Sequence, residues 1–157
     1  MSLDFLALYH AWHELDNGAR AQLRRVAAPD ELKDIPVFYR LVKPFNWAEP
    51  RQQYALIRMV FCLTAGNNAI THQPSEQGKA AKSLGRVLAQ SEKINERRIY
   101  QLIRAQSPND MIQLRRLLTQ AEPTLDWALM ANMLCYWGVH QKRQLLEDFV
   151  LSLNDKK

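Results

Sequence analysis

The side chains best suited to chemistry in this 157-residue chain are the basic ones between positions 79 and 116. That stretch contains nine basic and three acidic residues, whereas the rest of the chain is close to neutral. Most of the nine are arginines, whose planar guanidinium group binds phosphate oxygens through paired hydrogen bonds. A basic segment in an otherwise neutral chain indicates a polyanionic partner. The basic residues are Lys79, Lys82, Arg86, Lys93, Arg97, Arg98, Arg104, Arg115 and Arg116.

No other group of residues has the spacing of a catalytic or metal site. His10 and His13 lie three positions apart, but the other two histidines are distant in sequence and neither cysteine has a cysteine nearby. The five glycines form no phosphate-binding loop of the Walker or Rossmann type. No serine has a nucleophile-elbow context, and the adjacent Glu147 and Asp148 are typical of a solvated helix face. We therefore predict a protein that is not an enzyme and needs neither a metal ion nor a cofactor.

The composition predicts a compact unit with its own core. Hydrophobic residues make up 47% and charged residues 24% of the chain, which is an ordinary globular balance. No segment approaches the roughly 20 apolar residues of a membrane span, and the N-terminus lacks the basic start of a signal peptide. Cys62 and Cys135 lie in apolar helical patterns, so we expect buried, reduced thiols. These features predict a cytoplasmic protein with no membrane partner.

Leucine and alanine far outnumber valine and isoleucine, and apolar residues recur at helical spacing, which predicts an all-α fold. The expected fold is a compact helical bundle of about eight or nine helices, either as one unit or as two packed lobes. The chain 1–157 is expected to form a single all-helical domain. It would comprise an N-terminal lobe over about 1–65, a flexible loop at 66–78 and a C-terminal helical bundle at 79–157.

Helix-capping and helix-ending residues set the expected helix limits. Ser2 is predicted to cap the first helix, and Asn17-Gly18 to end it. Gly85, inside a predicted helix, indicates the close approach of another helix. The expected helices are at about 2–16, 19–28, 36–41, 51–64, 80–90, 94–106, 108–121, 125–137 and 140–153, with a short helical turn at 30–33.

The helix at 51–64 is apolar on nearly its whole circumference, which predicts a central and buried position. Arg51 and Arg58 lie seven residues apart on its one narrow stripe that is not apolar. We expect these two arginines either to reach the surface along that stripe or to bridge the central helix to its neighbours.

Helical wheels indicate that the basic residues share one surface. Arg97 and Arg104 lie nearly superimposed, opposite the apolar side of their helix, with Gln101 between them. On the next helix Arg116 points away from the apolar stripe, while Arg115 lies at its boundary, where the stem would pack and the head group emerge. On the preceding helix, Lys79, Lys82 and Arg86 are expected to form one row opposite the apolar side. In the N-terminal lobe, Arg24 and Arg25 are expected to point outward, away from Leu23 and Val26. The predicted nucleic-acid-binding residues are Arg24, Arg25, Lys82, Arg86, Arg97, Arg98, Arg104, Arg115 and Arg116.

Four groups of residues occur in register along nearly the whole chain. They are Leu15-Asp16-Asn17-Gly18 followed by Ala21-Gln22-Leu23-Arg24-Arg25, then Ser83-Leu84-Gly85-Arg86, Glu96-Arg97-Arg98 leading to Leu102-Ile103, and Leu125-Asp126-Trp127 leading to Trp137. This series resembles the small subunit of the type I-E CRISPR surveillance complex Cascade, the CasB family. The resemblance implies an all-helical, non-enzymatic subunit that is present as a pair within Cascade.

The resemblance also implies a task, which is to support crRNA-guided target binding in antiviral defence by holding the opened DNA, especially the displaced strand. The implied partners are the backbone and large subunits of Cascade, a second copy of the chain, the crRNA and the target DNA. The residues alone leave two alternatives open. One is a free-standing helical DNA- or RNA-binding protein, and the other is a scaffold subunit whose basic face docks an acidic protein.

Overall fold

The computed structural model describes residues 4–153, and nine α-helices, two 3-10 helices and one pair of short strands lie in that range. The α-helices are α1 (Phe5–Glu14), α2 (Asn17–Arg24), α3 (Pro36–Val42), α4 (Pro50–Leu63), α5 (Leu84–Ser91), α6 (Glu96–Arg104), α7 (Asn109–Ala121), α8 (Trp127–Cys135) and α9 (Val139–Ser152). The 3-10 helices are Pro29–Asp34 and Lys43–Phe45, and the strands are β1 (Thr71–His72) and β2 (Thr124–Leu125). The prediction of an all-α helical bundle is confirmed. None of the helices in this range combines the length and apolar character that crossing a bilayer requires.

Polar side chains cap the start of several helices and fix their positions. The caps that accept a hydrogen bond from the first turn include Asp4, Asp16, Ser83, Asn95 and Asp126. The predicted cap Ser2 lies outside the described residues. Asn17 and Gly18 were expected to end the first helix, but they begin α2, because Asp16 accepts a 2.7 Å hydrogen bond from the backbone N–H of Ala19.

Helix α4 lies at the centre of the core, as its apolar circumference predicts. Its residues from 55 to 63 are buried except Arg58, and α1, α7, α8 and the first 3-10 helix pack around it. One continuous cluster of buried apolar side chains extends from Leu8 to Phe149. The two halves of the chain therefore contribute to the same hydrophobic core.

Segment 66–78, expected to be a flexible loop, contains buried residues and the first strand. β1 pairs in parallel with β2, so that Thr71 lies opposite Thr124. Ala69 and Ile70 are buried. This two-residue pairing was not foreseen, since a strand of that length has no alternating pattern to detect. The division of the chain into two lobes stays a prediction.

Helices α5 and α9 form the most extensive helix pair, and Gly85 lies where they cross. A Cβ atom at this position would lie 2.6 Å from the carbonyl oxygen of Leu145 and 2.7 Å from Cβ of Asp148. Both distances are shorter than van der Waals contact, so the glycine permits the approach of α9. The predicted close helix crossing at Gly85 is confirmed.

Candidate nucleic-acid interface

A shallow groove between α6 and α7 brings together four of the predicted arginines. One section of about 450 Å³ is lined by residues of both helices, and a second section of about 250 Å³ adjoins it through Gln101 and Gln113. We call this surface the arginine groove and define it by Arg97, Arg98, Tyr100, Gln101, Arg104, Gln113 and Arg116.

The amphipathic character of α6 positions its side of the groove. Ile99 and Leu102 are fully buried against the core, whereas Arg97, Gln101 and Arg104 are exposed on the opposite face. Positions three and four residues apart lie on one face of a helix, so the two arginines project in the same direction. The predicted placement of these three residues agrees with the structure.

The arginines of the groove interact with neutral side chains. The Arg98 guanidinium donates to Oε1 of Gln120, and Nε2 of the same glutamine donates to the carbonyl of Lys93 at 2.9 Å. Arg104 Nη1 donates to the hydroxyl of Tyr100 at 3.0 Å. Within residues 4–153, no carboxylate forms an ion pair with any of the four arginines. None of the four guanidinium groups is therefore paired with a carboxylate in the described part of the chain, which favours an anionic ligand.

Arg115 lies outside the groove, and the expectation that its head group emerges is wrong. Its Nη2 donates to the carbonyl of Val26 at 2.7 Å and its Nη1 donates to Oγ1 of Thr64 at 3.1 Å. The guanidinium also lies 4.1 Å from the centre of the Phe61 ring. Burial lowers the pKa of Arg115. A boundary position on the helical wheel is compatible with either direction of the side chain. The guanidinium group turns inward here because the carbonyl of the buried Val26 needs a hydrogen-bond donor.

Arg24 also turns towards the protein, contrary to the expected outward direction. Its Nη2 donates to Oδ1 of Asn68 at 2.8 Å, and its guanidinium lies 5.9 Å from the centre of the Trp12 ring. Burial, followed by the charge of Arg20, lowers the pKa of Arg24. Its neighbour Arg25 is exposed. The predicted extension of the basic surface into the N-terminal half therefore reduces to Arg25.

The expected basic row on α5 is not formed, because that helix begins at Leu84, after the cap Ser83. Lys82 precedes the helix, and its Nζ donates to the carbonyl of Pro74 at 3.2 Å. Arg86 is half-buried in the first turn and has an interaction partner. Neither residue lines the arginine groove.

The two arginines of α4 differ in their surroundings. Arg58 Nε donates to the carbonyl of Leu134 at 2.7 Å and its Nη2 donates to that of Cys135 at 3.3 Å, which satisfies carbonyls at the end of α8. Burial lowers the pKa of Arg58. Arg51 is exposed, and its side chain forms no hydrogen bond or ion pair between residues 4 and 153. Arg58 is thus a bridge between helices, whereas Arg51 is not.

A buried polar cluster around Asp110, one of the three acidic residues of the basic segment, was missed by sequence reasoning. Asp110 is 4% exposed, and its Oδ2 accepts from Trp137 Nε1 at 2.9 Å and pairs with Lys142 Nζ at 3.1 Å. Lys142 also donates to the carbonyl of Ala105 at 2.9 Å. Asp110 is therefore neutralised internally and does not offset the charge of the groove. No sequence signal distinguishes this aspartate from one on a solvated first turn.

Tyr100 was also overlooked, although its spacing carries a signal. It lies three residues after Arg97 and four before Arg104, which places an aromatic ring between two guanidinium groups on one helix face.

Cys62 and Cys135 are free thiols. Cys62 is fully buried, which raises its pKa to about 12 and keeps the thiol protonated at neutral pH. Cys135 is only half-buried, so the expectation of full burial is wrong for this residue. Between residues 4 and 153, no three His, Cys, Asp or Glu side chains are grouped so that they could hold a metal ion.

The family model of CRISPR-associated protein Cse2 matches residues 19–150. The chain belongs to the Cse2 family. A curated relative, the CRISPR system Cascade subunit CasB of Escherichia coli strain K12, is 63% identical over 153 residues, which cover 97% of this chain and 96% of the relative. The resemblance to the CasB family that the sequence indicates is confirmed.

Solved structures with the same fold come from two organisms. A chain in the crystal structure of E. coli Cascade bound to a PAM-containing dsDNA target is similar with a TM-score of 0.93 at 62% identity, over 99% of this chain and 100% of that chain. CasB from Thermus thermophilus has a TM-score of 0.65 at 18% identity, over 95% of this chain and 99% of that chain. At that lower identity, the likeness concerns the fold alone.

Proposed function

We propose that this Cse2-family chain is a non-catalytic subunit of a crRNA-guided Cascade surveillance complex in antiviral defence. In that complex its arginine groove holds the opened target DNA, above all the displaced strand, and so stabilises the R-loop. Its partners are the backbone and large subunits, a second copy of itself, the crRNA and the target DNA. The 63% identity to a Cascade subunit and the likeness to a chain of a DNA-bound Cascade support this assembly.

The observation that carries the proposal is the groove itself. Four guanidinium groups line two neighbouring concave sections that share Gln101 and Gln113, and none of the four forms an ion pair with a carboxylate in the described part of the chain. Guanidinium groups bind phosphates whatever the base sequence, which suits a subunit that must hold any target. Sequence is then read by the guide RNA through base pairing.

Modest contacts are sufficient for this task. Replacement of a DNA duplex by an RNA–DNA heteroduplex is nearly balanced in energy, as is known for single-protein RNA-guided effectors. A surface that holds the displaced strand disfavours re-pairing and shifts that balance towards the open state. The groove supplies guanidinium, amide and phenol groups but no carboxylate, imidazole or thiol, which fits binding rather than acid–base or nucleophilic catalysis.

The proposal is tested by the triple variant Arg97→Ala, Arg104→Ala, Arg116→Ala in the reconstituted complex. We expect the target DNA to dissociate about ten-fold faster at physiological salt, because three phosphate contacts are removed. The matched control is Arg40→Ala, Arg51→Ala, Arg143→Ala, which removes the same charge from three exposed arginines outside the groove. Circular dichroism and subunit stoichiometry check that both variants fold and assemble.

If the triple variant and its control retained the target DNA equally well, the proposed role of the arginine groove would be contradicted. If the groove instead docks an acidic protein, the triple variant would lose a subunit from the complex. If the chain is a free-standing regulator, the isolated protein would give a sequence-specific footprint.

A further inference from the structure

We infer that Tyr100 is a base-stacking residue at the arginine groove, so that the groove takes an unpaired strand in preference to a duplex. This inference rests on the proposed function of the groove. Tyr100 is 49% exposed and lies in the same concave section as Arg97, Gln101 and Arg104. Its ring is therefore open to a ligand that the arginines hold.

The ring is held in place from one end. Arg104 Nη1 donates to the Tyr100 hydroxyl at 3.0 Å, and the Arg104 guanidinium lies 5.3 Å from the ring centre. A ring fixed before binding loses little side-chain freedom when a base stacks on it. The same contact places a positive charge over one side of the ring, where it can meet the phosphate next to a base stacked on the other side.

The combination of groups favours a single strand. Arg97 and Arg104 lie on either side of the ring along the helix, so phosphates can contact the two guanidinium groups while one base lies on the ring between them. The base faces of a duplex are covered by neighbouring pairs, whereas those of an unpaired strand are free. Stacking tolerates every base, since each has a π-face, and it therefore preserves the sequence independence of the site.

The inference is tested on the full chain with two fluorescent strands of about 20 nucleotides, one of oligothymidine and one of abasic residues with the same phosphates. We expect the wild-type chain to bind oligothymidine about ten-fold more tightly than the abasic strand. Tyr100→Ala should remove that difference without changing the affinity for the abasic strand or the dependence on salt. Tyr100→Phe should retain it, because the ring remains.

Tyr136→Ala serves as the matched control, since Tyr136 is 65% exposed but lies at the end of α8, outside the groove. It should leave both affinities unchanged. Equal wild-type affinity for the two strands, or no binding of either, would overturn the inference. If Tyr100→Ala lowered the affinity for both strands equally, the inference would also be overturned, since that result would show that the ring only positions Arg104. The proposed function is decided separately, by target retention in the assembled arginine variants.

Discussion

Arg115 and Arg116 are adjacent in α7, but the first guanidinium group faces the core and the second faces solvent in the arginine groove. Successive residues of a helix are rotated by about 100°, which is enough to separate a structural side chain from a binding one. Arg115 satisfies the Val26 carbonyl and Thr64, whereas Arg116 has a free surface around it. The two positions therefore respond differently to the same substitution.

We predict that Arg115→Ala lowers the free energy of unfolding by about 2 kcal/mol, because it removes the donor that pairs with the carbonyl of the buried Val26 and the packing against Phe61. Arg116→Ala should change the free energy of unfolding by less than about 0.5 kcal/mol, as surface substitutions usually do. Urea denaturation followed by circular dichroism measures both values. Equal stability of the two variants would contradict the structural assignment of Arg115.

At the scale of elements, the pair α5 and α9 depends on the absence of a side chain at Gly85. Substitution by alanine adds a methyl group at 2.6 Å from the Leu145 carbonyl and 3.0 Å from the backbone nitrogen of Phe149. Because both neighbours are backbone atoms, rotation of a side chain cannot relieve the contact. The helices must move apart, at the expense of their packed interface.

We predict that Gly85→Ala lowers the free energy of unfolding by about 2 kcal/mol, despite the better helix propensity of alanine. The matched control is Gly18→Ala in α2, where the nearest atom to an added Cβ is Asp16 Oδ1 at 3.5 Å. This substitution should raise the free energy of unfolding by roughly 0.5 kcal/mol. Thermal unfolding of both variants distinguishes the two effects, and a stabilised Gly85→Ala would refute the close crossing.

At the scale of the whole molecule, the structure reduces the number of arginines available to nucleic acid. Four remain together in the arginine groove, while Arg24 and Arg115 are engaged within the protein. The expected salt dependence changes accordingly, since each neutralised phosphate of a single strand contributes about −0.7 to the log–log slope.

We predict a slope of about −3 for binding of a single strand by the isolated chain, if all four groove arginines contact phosphates. The nine residues proposed from sequence would instead give about −6. Titrations at several salt concentrations measure the slope. A measured slope near −6 would show that arginines outside the groove also bind phosphates.

The sequence by itself determined the helical class, the central position of α4, the close crossing at Gly85 and the outward direction of Arg97 and Arg104. These features follow from local periodicity and from single residues with strong backbone preferences, which are properties of one helix at a time. The family followed from residue groups kept in register along the chain.

Only the tertiary structure decided which basic residues remain free. Arg24, Arg58 and Arg115 meet carbonyl or amide oxygens from segments far away in sequence, and Asp110 meets Lys142 in the same way. The direction of a long side chain at a helix boundary depends on such partners, because buried polar groups must be paired. Periodicity describes one helix and carries no information about the groups that another helix leaves unpaired.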